Sequence, residues 1–345
     1  MTIPDRWTTG RVCVVQMGGI GDTVHTLPVV TALKRHAPAC EITCVLQPAG
    51  AALVGHHRAI DVPLVFDRSG GAWKAFRRLA ASLRQPFDLV IDLNVALKAS
   101  IATTLARAPV KLGFNLGRSR DLNVLFTTHQ IPPHARQHVQ DQYLEFIAAL
   151  GVAPEPVTWD LGPSPAERDA QRAFFAGLER PAATLVVGAQ GPERDWLPER
   201  WAELADVLLE RFGLQPVIAT AGSPREQETE RVMRRNCRHP LVTTTGLRTL
   251  LGVLDGSALV VSLDTGPLHV AVALGRPVIS LMGWNNPKVV GPWRRFHDLV
   301  VDAYGDPGED YAPSTRKRKD RMGRITVDQV VEKVEVWRER YALTP

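Results

Sequence analysis

Short apolar runs alternate with helical stretches along almost the whole chain, and that rhythm restricts the fold more than any other feature. Residues 11–15, 41–46, 88–93 and 110–114 read as strands, with helices over 24–36 and 98–107. Beyond residue 165 the rhythm returns, with strands over 184–188, 216–220, 258–263 and 277–282 and helices over 198–212, 224–235 and 247–255. Strands that are apolar almost without interruption are buried on both faces, as in a parallel sheet, and parallel neighbours need helical crossovers. Val152-Ala153-Pro154-Glu155-Pro156 and Leu161-Gly162-Pro163-Ser164-Pro165 break the pattern as a linker would. A chain of 345 residues is too long for one ordinary core. The expectation is therefore an α/β protein of two Rossmann-like domains, 1–160 and 161–325, with mostly parallel sheets and a ligand cleft between them. A final amphipathic helix follows within 326–345, with Val330, Val331, Val334 and Trp337 on one face.

Two turns in this pattern carry chemistry. After the apolar run Ala258-Leu259-Val260-Val261 come Ser262-Leu263-Asp264-Thr265-Gly266-Pro267-Leu268-His269, and then a helical segment ending at Gly275. A strand that turns straight into a helix presents unpaired backbone N–H groups and the positive end of the helix dipole, which is a seat for phosphate or diphosphate. Pro267 suits the first helical turn, where its missing N–H costs nothing. The plainer reading is that Asp264 or Thr265 only caps the helix. The first strand leads into the other turn, Gln16-Met17-Gly18-Gly19-Ile20-Gly21-Asp22-Thr23. Its glycines suggest a dinucleotide fingerprint, but Val24 stands where the third glycine belongs. Asp22 would also set an anion where a pyrophosphate has to sit. A carboxylate on such a turn suits a general base, and it can cap the helix beginning at Thr23 at the same time. The helix dipole would hold it ionised near neutral pH.

In these segments the chain resembles glycosyltransferase family 9, the bacterial heptosyltransferases of the lipopolysaccharide inner core. The family's Gly-Asp-x-x-x-x-x-Pro signature matches Gly21, Asp22 and Pro28, and its Asp-Thr-Gly-x-x-His signature matches Asp264, Thr265, Gly266 and His269. Arg194-Asp195-Trp196-Leu197-Pro198 stands where the family has Lys-x-Trp-Pro. Similarity continues through 88–93, His138-Val139-Gln140-Asp141, Gly222-Ser223-Pro224-Arg225-Glu226 and Met322-Gly323-Arg324-Ile325-Thr326, so it spans nearly the whole chain in order.

The resemblance implies a GT-B fold, with an N-terminal acceptor domain, a facing nucleotide-sugar domain and a closing helix that crosses back to the first. It implies an inverting, metal-independent transfer of a sugar, heptose from ADP-heptose, to a carbohydrate hydroxyl of a lipopolysaccharide core or related glycan. No cofactor is implied beyond the ADP-linked cosubstrate. Asp22 would take the acceptor proton, and Thr265, Gly266 and Arg194 would stabilise the leaving diphosphate. Asp264 and His269 would orient the donor, Glu226 would meet the ribose, and Thr245, near the end of a preceding strand, adds a donor contact. Gly19, Arg118 and Arg120 are the acceptor-side candidates. Three departures stand out. Arg194 replaces the usual lysine. Gln16 replaces a basic residue, which points away from a strongly anionic Kdo-type acceptor. Met282-Gly283-Trp284-Asn285-Asn286-Pro287 replaces the usual Gly-Pro-Thr-Asp-Pro loop, which points to a different group read on the donor side. Two further readings stand beside this one: a nucleotide-sugar-binding protein without catalysis, for which the altered loop leaves room but against which Asp22, Asp264 and His269 speak, and an NAD(P)-dependent oxidoreductase, which the glycine spacing and Asp22 disfavour.

Composition narrows the rest. With 45% hydrophobic and 22% charged residues the chain is of the globular class, and no apolar stretch nears the ~18–20 residues that span a bilayer. The N-terminus lacks the basic-then-apolar layout of a signal peptide, which points to the cytoplasm. Cys13, Cys40, Cys44 and Cys237 have no zinc spacing and read as buried thiols. The adjacent His56 and His57 cannot easily share a metal and read as surface residues, and no spaced metal site is visible. The net charge of +5 favours an anionic partner. The run Arg316-Lys317-Arg318-Lys319, with Arg321 and Arg324, is the candidate for peripheral attraction to lipid headgroups at the inner face of the inner membrane. No nucleic-acid module accompanies it.

Overall fold

The computed structural model of the protein describes residues 3–342 and divides into two compact units, Met1–Ala135 with Val139–Leu161, and Arg136–His138 with Gly162–Pro345. The first unit contains β1 (Arg11–Gln16), α1 (Ile20–His36), β2 (Glu41–Leu46), α2 (Pro48–Val54), β3 (Val62–Val65), α3 (Ala72–Ser82), β4 (Leu89–Asp92), α4 (Leu97–Leu105), β5 (Val110–Gly113), β6 (His129–Gln130) and α5 (Val139–Ala149). Its six strands are parallel, in the order β3-β2-β1-β4-β5-β6. Val12 to Val15 on β1 and Leu89 to Ile91 on β4 are fully buried, which is why those runs are apolar without alternation. One face is covered by α3 and α4, where Cys13, Val15, Phe66, Leu79, Val90 and Ala102 share one cluster. Strand order reverses between β1 and β4, and ligands of doubly wound sheets bind outside the carboxyl ends at that reversal.

The second unit repeats the plan with α6 (Pro165–Ala176), β7 (Ala182–Val186), α7 (Pro198–Phe212), β8 (Gln215–Thr220), α8 (Pro224–Asn236), β9 (Val242–Thr245), α9 (Leu247–Gly256), β10 (Leu259–Leu263), α10 (Gly266–Ala273), β11 (Val278–Met282), α11 (Pro287–Val290), β12 (Val300–Asp302) and α12 (Val327–Arg340). Its sheet is again parallel, in the order β12-β11-β10-β7-β8-β9, so the reversal falls between β10 and β7. The expected fold class, two Rossmann-like α/β domains with parallel sheets, is the one observed. Trp196 and Trp201 form an edge-to-face pair at 4.9 Å beside this sheet, and the Trp196 indole donates to the Ile325 carbonyl at 2.9 Å.

Several expectations need correcting at this level. The resemblance implied that the last helix crosses to the first domain, but α12 belongs to the second unit, where its stripe Val330, Val331, Val334 and Trp337 is buried. It packs on α7, β11 and β12, and Trp337 donates to the Ala258 carbonyl at 3.1 Å. Within the basic run Arg316, Lys317 and Lys319 stand exposed, whereas three of the arginines are engaged. Arg318 pairs with Glu309 and donates to the Tyr304 carbonyl at 2.9 Å, while Arg321 and Arg324 both bind Asp306. These arginines hold the Asp306 and Glu309 carboxyls below the usual range. His57, expected at the surface beside His56, is buried, and its Nε2 lies 2.8 Å from the Trp159 carbonyl. Cys13, Cys40 and Cys44 are buried thiols, as expected; burial pushes the Cys13 thiol up to about 12. Among the described residues no helix is long and apolar enough to cross a membrane.

Candidate functional site

In the first unit the turn after β1 is held from below by a buried amide. Gln16 is fully buried; its amide donates to the Tyr143 hydroxyl at 3.0 Å, and its Oε1 accepts from Gly18 N at 2.7 Å and from the Asn94 side chain. That network fixes the path of 17–19 and explains why an uncharged residue stands at the end of β1. Gln47 closes the other side by donating to the Gly18 carbonyl at 2.9 Å. Asp22 sits in the first turn of α1 and accepts from Gly19 N at 3.0 Å, so it does cap the helix. A side chain on Gly18 would place its Cβ 2.2 Å from Asp22 Oδ2, so this glycine makes the room that the carboxylate occupies. The dipole of a 17-residue helix favours the charged form there. Lys98 on α4 is within electrostatic reach: burial and Arg68 lower its pKa, and Asp22 opposes them.

The neighbouring strand ends in a second carboxylate. Asp92 is fully buried and accepts from Thr103 Oγ1 at 2.8 Å, Asn123 Nδ2 at 2.9 Å and Asn94 N at 3.0 Å. Burial still pushes its pKa up to about 6. It links α4 and the 114–123 loop to the same corner that Gln16 organises. The acceptor-side candidates separate here. Gly19 is exposed, with nothing within 4 Å of where a Cβ would stand, and Arg120 is exposed on the loop. Arg118 is buried instead, donating to Glu145 at 2.6 Å, to Asn115 Oδ1 at 2.9 Å and to the Pro132 carbonyl at 2.9 Å. Its guanidinium is committed to the fold of its own loop, so it leaves the acceptor set.

In the second unit the reversal point carries the other constellation. Asp264 follows β10, is buried, and accepts from the Asn285 side chain. Arg194, on a single 3-10 turn after β7, donates to the Asp264 carbonyl at 3.2 Å and lies 3.8 Å from its Oδ2. Burial raises the Asp264 carboxyl pKa, against the pull of Arg194 and Asn285. Thr265 occupies the N-cap position of α10, yet its side chain makes no cap bond, and Asp264 pairs with Asn285 and Arg194 instead. The plain capping reading of Asp-Thr-Gly therefore fails: the polar side chains beside Gly266 do not close off the first-turn amides. His269, one turn on, is buried, and burial, with His138 adding to it, brings its pKa down to about 3. A ring shifted so far is neutral across the physiological range.

This makes a linkage prediction. The folded pKa of His269 lies below its unfolded value near 6.5, so the unfolded chain binds more protons in that window and stability falls as pH drops from 7. His269→Gln should abolish roughly 2 kcal/mol of the stability loss between pH 7 and pH 5. Denaturant midpoints at the two pH values check this; an unchanged difference would mean that the ring is not buried neutral.

Glu226 opens α8, where it accepts from Ser223 N at 2.8 Å and Ala221 N at 3.1 Å while Ser223 caps in return. Its side chain lies against Gly188, where an added Cβ would stand 1.9 Å from Oε1. Gly188→Ala is expected to expel the carboxylate from its box and cost about 1–2 kcal/mol, the size of a lost cap. Glu226→Ala in the same background should then add almost nothing to that cost, which urea titration of the three variants measures. Thr245 ends β9 beside Thr220 and is exposed.

The comparisons with known proteins follow this geometry. The model of glycosyltransferase family 9 (heptosyltransferase) matches residues 76–309. The chain belongs to glycosyltransferase family 9. This family-9 chain is 27% identical over 333 residues to the lipopolysaccharide core heptosyltransferase OpsX of Haemophilus influenzae, covering 92% of this chain and 94% of that protein. In fold it is similar to the family-9 glycosyl transferase of Veillonella parvula, with a TM-score of 0.80, 23% identity, and 95% and 97% of the two chains covered. It is also similar to the E. coli heptosyltransferase WaaC solved with ADP-2-deoxy-2-fluoro heptose, with a TM-score of 0.72, 23% identity, and 94% and 99% covered.

Within this family-9 frame, Asn285 is the residue that the sequence singled out only as part of an altered loop; it is the direct partner of Asp264. Lys98, Tyr143 and Asp92 were not singled out at all. Asp92 alone carried a signal, an acid closing the apolar strand Leu89-Val90-Ile91. Among the described residues no group of three or more His, Cys, Asp or Glu is arranged to hold a metal ion.

Proposed function

We propose that this glycosyltransferase moves heptose from ADP-heptose to a hydroxyl of a lipopolysaccharide core sugar, with inversion and without a metal, at the cytoplasmic face of the inner membrane. The observation that carries the reading is the cluster at the reversal of the second sheet. There Arg194 and the opening turn of α10 offer positive charge and backbone donors beside the buried Asp264. The donor assignment is supported by the nucleotide-sugar analogue bound to WaaC, and the acceptor class by the name of the OpsX relative.

Asp22 is assigned as the base. Its carboxylate accepts the proton as the acceptor oxygen bonds to the anomeric carbon; the bond to the diphosphate breaks, and ADP leaves with the electron pair. Arg194, Thr265 and Gly266 stabilise that leaving charge, Asp264 and the neutral His269 orient the donor, and Glu226 and Thr245 serve its nucleoside end. Gly19 and Arg120 meet the acceptor. A thermal-shift series tests the donor. ADP-heptose at 100 times its Kd should add about 2.7 kcal/mol of stability, with smaller shifts from UDP-glucose and none from NAD. A shift with NAD and none with ADP-heptose would overturn the reading.

A further inference from the structure

The first unit concentrates both charge and exposed apolar surface in one stretch. Residues 68–120 carry ten Lys and Arg against two acids, Asp88 and Asp92, in a chain whose whole net charge is +5. Asp92 is buried. In a parallel sheet every strand points the same way, so the segments that follow β3, β4 and β5 all emerge at one edge. That edge also carries Asp22, in the turn after β1. Seven large apolar side chains stand open to solvent among the described residues, and six of them lie at the end of β3 or in the segments that follow β3, β4 and β5. They are Val65 at the end of β3, Trp73 in the first turn of α3, Leu97 at the start of α4, and Leu116, Leu122 and Leu125 after β5. Trp73 is 75% exposed and Leu116 76%.

The helix α3 shows the pattern at close range. Ala75 and Leu79 face the core, while Trp73, Lys74, Arg77 and Arg78 face outward, and the last three line a shallow hollow of about 390 Å³. Arg68 and Lys98 continue the positive charge toward Asp22. The two acids nearby are engaged by backbone: Asp67 accepts from Ser69 N at 2.8 Å and Asp121 from Leu97 N at 3.4 Å. An indole and leucines set among arginines and lysines match a surface that is anionic outside and apolar beneath.

We propose that this edge seats on an anionic bilayer, with Trp73, Leu97, Leu116 and Leu122 entering the headgroup region and Lys74, Arg77 and Arg78 pairing with lipid phosphates. The inference rests on the transferase reading only for its purpose, which is to bring a lipid-anchored acceptor to the edge that carries Asp22. The surface itself is independent of that reading.

The test is flotation of the full-length protein with vesicles of 30% phosphatidylglycerol and 70% phosphatidylethanolamine, and with pure phosphatidylcholine vesicles, run at two salt concentrations. Binding is expected to the anionic vesicles only and to weaken with salt. Arg77→Ala/Arg78→Ala should lower partition roughly 25-fold, about fivefold per cation. Trp73→Ala should lower it by an amount that salt does not screen. Lys317→Ala should leave it unchanged. Both test variants should retain turnover on a de-acylated, soluble acceptor, so that a failure of docking is read separately from a failure of the transferase assignment. Equal binding to phosphatidylcholine, unchanged partition in the variants, or self-association that the same substitutions abolish would each overturn the proposal; the last would make the occupant a second copy of the chain.

Discussion

Asp22→Asn should lower turnover by roughly 10²–10⁴ while leaving the affinity for ADP-heptose unchanged. The reasoning begins with the shape of the turn. Asparagine keeps the volume, and its oxygen can still accept from Gly19 N, so the first turn of α1 and the Gln16 network beneath it should persist. What is lost is a group able to hold a proton as the acceptor oxygen attacks. Donor affinity serves as the control, because the groups assigned to the diphosphate lie on the other unit. Turnover equal to the parent protein would place the base elsewhere. A large fall in donor affinity would show that Asp22 acts through folding or binding.

Removing the cation at the leaving group should have the next largest effect. Arg194→Ala is expected to reduce kcat/KM by about 10²–10³, in the range found when one transition-state donor is deleted. The substitution has two consequences. It takes positive charge from the developing diphosphate, and it leaves the buried Asp264 carboxyl with Asn285 but without its cation, so that its already raised pKa climbs further. Arg194→Lys should recover part of the loss, since it restores a point charge without the planar fork. Steady-state kinetics with varied ADP-heptose, together with ADP binding by calorimetry, separate the two. Wild-type kinetics in Arg194→Ala would remove this residue from the mechanism.

The fold was legible where burial leaves a trace in composition. Central strands such as β1, β4, β7 and β10 are covered on both faces and read as continuous apolar runs. The strands that the pattern did not delimit, β3, β6, β9 and β12, are all sheet edges. Edge strands are short and tolerate residues that central strands exclude: β3 carries Pro63, and β6 is only His129-Gln130. The two glycine turns were legible because a strand running into a helix has a local signature.

Their supporting residues were not, because the partners are far apart in sequence. Gln16 meets Tyr143 across 127 positions, and Arg118 meets Glu145 across 27. The ion pairs within the basic segment were hidden for the same reason. Three of its arginines, Arg318, Arg321 and Arg324, pair with Asp306 and Glu309, which lie nine to eighteen positions upstream. The outward stripe of α3 lay unremarked because three cations spread over eleven residues look like an ordinary solvated face until the exposed Trp73 is seen among them.

Mass spectrometry of a single reaction tests the central claim most directly. The purified protein is incubated with ADP-heptose and a de-acylated lipopolysaccharide core acceptor, without added metal and with a chelator present. The account predicts an acceptor heavier by one heptose, with one ADP released per sugar joined. ADP-heptose left intact, with the acceptor mass unaltered across a panel of core oligosaccharides, would contradict it.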